Sequence, residues 1–312
     1  MKTKIGSSLR IASLIALLLL GVMSTIVLVQ ANGEHEHGAH LTLRATETDL
    51  TTIALDGDSS DWAAVGGLSF TIVPIERDEV PNDDRQLDVN VRVAFDEDNI
   101  AVLVEIQDNY AFNSSDHHLS GHVAVMWAID EEAGPHMGMD DAGVSQGKVD
   151  IWHWELETAP GTVVGGKGTA TSGDDPIGNF DDEWATSSEN RHDDAAENSL
   201  FGNWNHTDIA GSRGHYVFEM KRALQTTDDN DTQFSENSVY KMGVAYWDPD
   251  ETPTGWEDDG HLVSAETVGW LNIELGEPTS QSTPGFTVIA MVISLTAVAI
   301  GTGIFWKKGR KN

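Results

Sequence analysis

The chain of 312 residues has no cysteine. That absence excludes disulfides, thiolate zinc sites, iron–sulfur clusters, blue copper, covalently attached haem and a cysteine nucleophile. A metal held here must use histidine, methionine, lysine, carboxylate or carbonyl ligands. Basic residues are also scarce, 18 against 51 acidic ones, for a formal net charge of -33. Seven of those bases lie in the first 31 and last 29 residues, which hold no acid, so the middle is more acidic still. Such a middle repels nucleic acid and anionic lipid. The common catalytic signatures are missing too: no GxSxG, no HExxH, no P-loop, and no GxGxxG in a strand–helix setting. No internal repeat and no long helical period occurs in the middle.

The apolar runs are confined to the two ends. Residues 1–31 have a basic start, an uncharged stretch from Ile11 to Val29 and a small-residue site at Val29-Gln30-Ala31. This pattern predicts a secretory signal peptide. Residues 285–306 carry no charge and precede KKGRKN at 307–312. About 22 residues at roughly 1.5 Å each span a bilayer, and the basic tail orients the span with 307–312 in the cytoplasm. Pro284-Gly285-Phe286, the hydrophobic span and the basic tail resemble an archaeal PGF-type sorting signal, which implies an archaeal surface protein. The expected arrangement is a His-containing linker at 32–49, an extracytoplasmic domain at 50–275, a linker at 276–284 and a membrane anchor.

The middle reads as strands. Leu87, Val89, Val91, Val93 and Phe95 alternate with more polar residues, DEDN at 96–99 supplies a turn, and Ile100 to Ile106 completes a hairpin. Further strands fit 68–75, 122–129, 149–156, 215–222, 240–247 and 268–274. The fold class expected is all-β, an antiparallel β-sandwich with long acidic loops. Residues 171–214 are acidic and poor in aliphatics, and are expected to form a long surface loop.

Candidate chemistry centres on GPHMGMDDAGVSQGKVDIWHW, residues 134–154. Met137 and Met139 sit in a glycine-containing loop, an odd setting for core methionine, and thioether is a soft neutral ligand. His136 stands beside them. Trp152 and Trp154 share one strand face with His153 on the other, suiting either core or the wall of a flat-ligand pocket. His261 precedes the last strand. His35, His37 and His40 could scavenge metal from a flexible linker. Acidic clusters such as DPDETPTGWEDDG, residues 248–260, offer Ca²⁺ a structural site.

The order of LDGDSSDW (55–62), the hairpin, HMGMDDAGVSQGKVDIWHWE, KRALQTTDDNDTQF, YKMGVAYWD and DGHLVSAETVGW resembles the haem-binding subunit of the ethylbenzene dehydrogenase type, the cytochrome c-552/DMSO reductase-like haem-binding domain. The resemblance spans about residues 50–275. It implies one non-covalent b-type haem, with iron ligated by Met137 (or Met139) and by His261, which stands where the family commonly has lysine. Trp152, His153 and Trp154 would line the pocket. The implied role is electron transfer with a molybdopterin and iron–sulfur oxidoreductase or another surface redox protein, and no catalysis by the chain alone. Three other readings stay open on the residues. One is a carbohydrate-binding sandwich with Trp152 and Trp154 facing sugar. Another is a copper-binding surface protein using His136, Met137 and Met139. The third is a structural protein whose tryptophans are all core.

Overall fold

The structure is a computed structural model describing residues 41–75, 85–140, 143–154, 159–165, 180–193, 198–210, 214–256 and 261–277. The signal segment 1–31, His35, His37, His40, the span 285–306 and the tail 307–312 lie outside the described residues. No helix among the described residues is long and apolar enough to cross a membrane.

The described residues form fifteen strands and three short 3₁₀ helices, with no α-helix. The strands are β1 (Thr42–Arg44), β2 (Thr46–Glu47), β3 (Gly67–Pro74), β4 (Leu87–Phe95), β5 (Asn99–Asp108), β6 (His122–Ala128), β7 (Val149–Trp154) and β8 (Val164–Gly165). They continue as β9 (Phe180–Ser187), β10 (Asn190–Asp193), β11 (Phe201–His206), β12 (Gly214–Ala223), β13 (Ser238–Trp247), β14 (His261–Val263) and β15 (Leu271–Leu275). Along the hydrogen-bonded path the order is β10-β9-β7-β6-β13-β14-β3-β4-β5-β12-β11-β8. β3 pairs with β14 through Val73 and Pro74 and with β4 through residues 67–72, so it turns the corner between two layers. Pairing is antiparallel except for β1 with β15 and β2 with β4.

The alternation predicted in the hairpin is met in register: Val89, Val91 and Val93 face Ile106, Val104 and Val102 across the β4–β5 ladder, and all are buried. Opposite them lie Val123, Val125 and Trp127 of β6, Trp152 and Trp154 of β7, and Met242, Val244 and Tyr246 of β13. These inner faces form the core of the sandwich. A second cluster coats the outer face of β4, β5 and β12, where Leu50, Ile53, Trp62 and Val65 cover Ala94, Ala101, Leu103 and Val217.

Two expectations need correction. β1 and β2 fall inside 32–49, so the sheets begin at Thr42. Within 171–214, expected as loop, β9, β10 and β11 are strands, and β9 pairs with the whole length of β7. The acids of β9 mislead because Asp182 and Glu183 are buried, each beside a cationic or imidazole partner.

Candidate functional site

The outer face of the β7–β6–β13 layer is built from the residues that alternate with the core set. Ala124, Met126, Ile151, His153, Gly243, Ala245 and Trp247 lie on it. Small side chains at 124, 243 and 245 leave a shallow floor. Two segments rise over that floor: the loop joining β6 to β7, and the stretch from His261 to Trp270. Between them is a cavity of about 280 Å³, mostly apolar.

The first wall is held tightly. Gly138 N–H donates to Gly134 O at 3.0 Å and Met139 N–H to His136 O at 3.0 Å. A Cβ on Gly134 would lie 1.8 Å from Met139 O, so only glycine permits this approach. Met137 at the tip has φ 51, one of two non-glycine residues with positive φ among those described. Backbone strain of this kind costs about 1–3 kcal/mol and concentrates at functional positions. Trp270 Nε1–H donates to Ala133 O at 3.0 Å and ties the two walls together.

His136, Met137 and Met139 from this loop, Met126 and His153 from the floor, and His261 from the facing wall all line the cavity. Two of the imidazoles are set against carboxylates, one half-buried and one buried. His136 Nε2 is 3.4 Å from Glu266 Oε1. His153 Nδ1 is 3.4 Å from Glu183 Oε1, and Arg191 Nε is 3.3 Å from Glu183 Oε2. Burial pushes the Glu183 carboxyl up, but the hydrogen bond and charge of His153, with Arg191, outweigh it and hold Glu183 below its ordinary range. His261 stacks on Trp247 at 4.9 Å and 16°, and His153 lies 5.0 Å from that indole. Behind them His122 is fully buried, and burial followed by the neighbouring His153, His117 and His118 keeps it neutral, well below the usual imidazole range.

Of the six residues that the haem resemblance implied, four meet in one cavity, Met137, Met139, His153 and His261, and His136 of the copper reading lines it with them. Trp152 and Trp154 do not. The two-residue period that places Ile151 and His153 at the cavity turns both indoles into the main core, where each is 0 % exposed. Neither lines this cavity, and neither presents a face to solvent. Sequence reading missed Trp247, Met126, Glu183, Arg191 and Glu266. Only AYWD hinted at Trp247, and Glu183 and Arg191 sat in the stretch taken as loop. The part of the 248–260 cluster that is described is bound to Arg85, through Asp248 at 3.1 Å and Glu251 at 3.1 Å.

No protein-family model and no curated protein matches the sequence. Among solved structures, similarity is found to a protein from Bacteroides uniformis described as carbohydrate-binding, at 10% identity and TM-score 0.42, over 76% of this chain and 100% of that one. It is also found to a family 9 carbohydrate-binding module from Caldicellulosiruptor kristjanssonii. With glucose bound, that module gives 10% identity, TM-score 0.35 and coverage of 78% and 100%. With cellotriose the figures are 10%, 0.34, 78% and 98%. These are carbohydrate-binding proteins, not haem proteins or cytochromes, and the description of the chain as a b-type cytochrome for electron transfer is corrected accordingly. The described residues form an all-β domain of antiparallel, sandwich-like architecture.

Proposed function

We propose that the chain is a non-catalytic surface module that binds a soft transition-metal ion, copper, in the cavity between Met137 and His261. The observation that carries this reading is the donor set. Three methionines and three histidines line one mostly apolar cavity. Thioether and imidazole together favour copper, and Cu(I) above all, over hard cations. Neutral ligands leave one positive charge to be offset, and Glu183 and Glu266 stand behind His153 and His136. A carboxylate behind an imidazole orients the ring and raises its basicity, the usual support for a metal ligand. The module works outside the membrane, exported by residues 1–31 and anchored by 285–306.

The test is Cu(I) competition between the full chain and a chromophoric chelator. One Cu(I) per chain is expected, with Met137→Ala and His261→Ala each weakening it at least tenfold. Substituting His35, His37 and His40 should leave the tight site intact. Affinity indifferent to both cavity variants would refute the reading. So would uptake of added haem with a sharp Soret band in place of copper binding.

A second reading rests on a different place. An open cleft of about 790 Å³ crosses β3, β4, β5 and β12 and presents Ser69, Asp88, Asn90, Glu105, Gln107 and His215. Such a row of donors and acceptors suits a hydroxyl-rich ligand, a carbohydrate. Soluble oligosaccharides should then bind with an affinity that Asn90→Ala and Gln107→Ala abolish. Retention of binding in both variants excludes the cleft.

A further inference from the structure

Three motifs that drew attention in the sequence converge on a place the copper cavity does not use. Asp150 comes from VDIWHW on β7, Arg222 from KRAL on β12, and Asp231 and Thr232 from DDNDTQF in the β12–β13 connection. Asp182 of β9 joins them. All five are at least nine-tenths buried.

The hydrogen bonds do not satisfy this group. Arg222 Nη1 lies 2.9 Å from Asp150 Oδ2, 3.0 Å from Asp231 Oδ1 and 3.9 Å from Asp182 Oδ1. Its Nη2 donates to Thr232 O at 2.6 Å. Thr232 N–H donates to Asp150 Oδ2 at 2.7 Å, and Ser199 donates to Asp182 Oδ2 through N–H and hydroxyl, both at 3.2 Å. Left without a hydrogen-bond partner are two carboxylate oxygens, Asp150 Oδ1 and Asp231 Oδ2, the Thr232 hydroxyl, which can donate or accept, and one N–H donor, Arg222 Nε. The three carboxylates each place an oxygen within 4.8 Å of the others. Three carboxylates also outnumber the one guanidinium, leaving two negative charges uncompensated in a buried space, which is strongly unfavourable.

We infer that the Asp150–Asp182–Asp231 cluster is a structural site for one divalent hard cation, Ca²⁺, bound through carboxylate oxygens with Thr232 Oγ1 as a neutral ligand. Two positive charges balance the excess, and unpartnered oxygens are what a calcium ion takes. The ion would clamp β7 and β9 of one layer to β12 and the 226–233 segment of the other. This site is independent of the copper reading, because hard oxygen donors and soft sulfur donors select different ions. The alternative is that protons neutralise the excess, and burial does push Asp182 and Asp231 upward.

The test is equilibrium dialysis of the full chain against Ca²⁺ after chelation, in about 1 M KCl, where the roughly 3 Å screening length suppresses loose binding to the acidic surface. One Ca²⁺ per chain should remain, and it should raise the melting temperature. Asp231→Asn should abolish both effects, and the exposed control Asp98→Asn neither. If Asp231→Asn fails to fold, Thr232→Val decides, since it removes one ligand oxygen without changing charge and should weaken Ca²⁺ at least tenfold. No saturable Ca²⁺, or equal Ca²⁺ binding by wild type and Thr232→Val, overturns the inference in favour of protons.

Discussion

Replacing Glu219 with glutamine removes a charge and one acceptor from the joint between β12 and the turn at 56–62. Glu219 is 0 % exposed. Its Oε2 accepts from Gly57 N–H at 2.6 Å and Asp56 N–H at 2.8 Å, and its Oε1 from Trp62 Nε1–H at 2.8 Å. The side chain thereby fastens the opening LDGDSSDW segment over the outer face of the sheet. Glutamine can keep the two backbone donors only by turning its amide NH₂ toward the Trp62 N–H. An unsatisfied buried donor costs about 1–3 kcal/mol. Charge acts the other way. Burial, opposed by those hydrogen bonds, raises the Glu219 carboxyl from 4.5 to about 7. Below pH 4.5 both folded and unfolded chains hold the proton. Between 4.5 and 7 the folded chain keeps a proton the unfolded chain has released, so the wild type loses stability as pH rises through that window. The full loss is about 3 kcal/mol at roughly 1.4 kcal/mol per pH unit. Glutamine cannot titrate and escapes it. Denaturant unfolding followed by tryptophan fluorescence should find Glu219→Gln less stable by about 1–3 kcal/mol at pH 4.5, where the charge loss has not begun. The deficit should vanish or reverse by pH 8. A deficit that is constant between these two pH values would falsify the assignment of a buried, protonated Glu219.

Other outcomes follow from the same packing. Trp152→Ala empties a core position enclosed by Trp127 and Phe234 and should cost about 3–5 kcal/mol, measured by urea unfolding. Trp247→Ala, half-buried at the cavity, should cost less and instead lower copper affinity. Met137→Gly relieves the positive φ, so its stability should stay within about 1 kcal/mol of wild type while Cu(I) affinity falls; a large loss of stability would mean Met137 is ordinary core. Gly138→Ala introduces a Cβ 2.2 Å from Gly147 O at φ +83 and should destabilise by roughly 2 kcal/mol or more, with copper binding lost as the loop shifts. Arg222→Met leaves three buried carboxylates without their guanidinium and should cost about 3–5 kcal/mol by the same unfolding assay.

Much of the sandwich is legible in the chain because half-buried strands print their period into the sequence. Val89 to Phe95 alternates cleanly, and its partner strand follows after a turn made of Asp, Glu and Asn. β9 is illegible for the opposite reason. Its acids look like solvated surface, but Asp182 faces Arg222, 40 residues on, and Glu183 faces His153, 30 residues back, and Arg191 across the β9–β10 turn. Of these partners only Arg191 is close in sequence; the other two fall outside any local window. In the candidate site, the loop methionines are conspicuous because glycine and aspartate surround them, and His153 stands on a strand face that can turn outward; His261, expected just before the last strand, opens the short strand β14. Choosing between the faces of β7 required the sheet register, which is why Trp152 and Trp154 read as cavity wall and prove to be core. Trp247 joins the cavity from β13, and Glu266 reaches His136 from the stretch after β14, contacts that periodicity does not encode. The motifs KRAL and DDNDTQF marked important residues, but their meeting with Asp150 needs all three elements in place.

X-ray absorption at the copper edge, on the full chain loaded with one Cu(I), bears most directly on the proposed site. The account predicts sulfur and imidazole nitrogen together in the first coordination shell, with the sulfur contribution reduced in Met137→Ala and the nitrogen contribution reduced in His261→Ala. A shell of nitrogen and oxygen alone, unchanged in both variants, would place copper elsewhere on the chain and contradict the account.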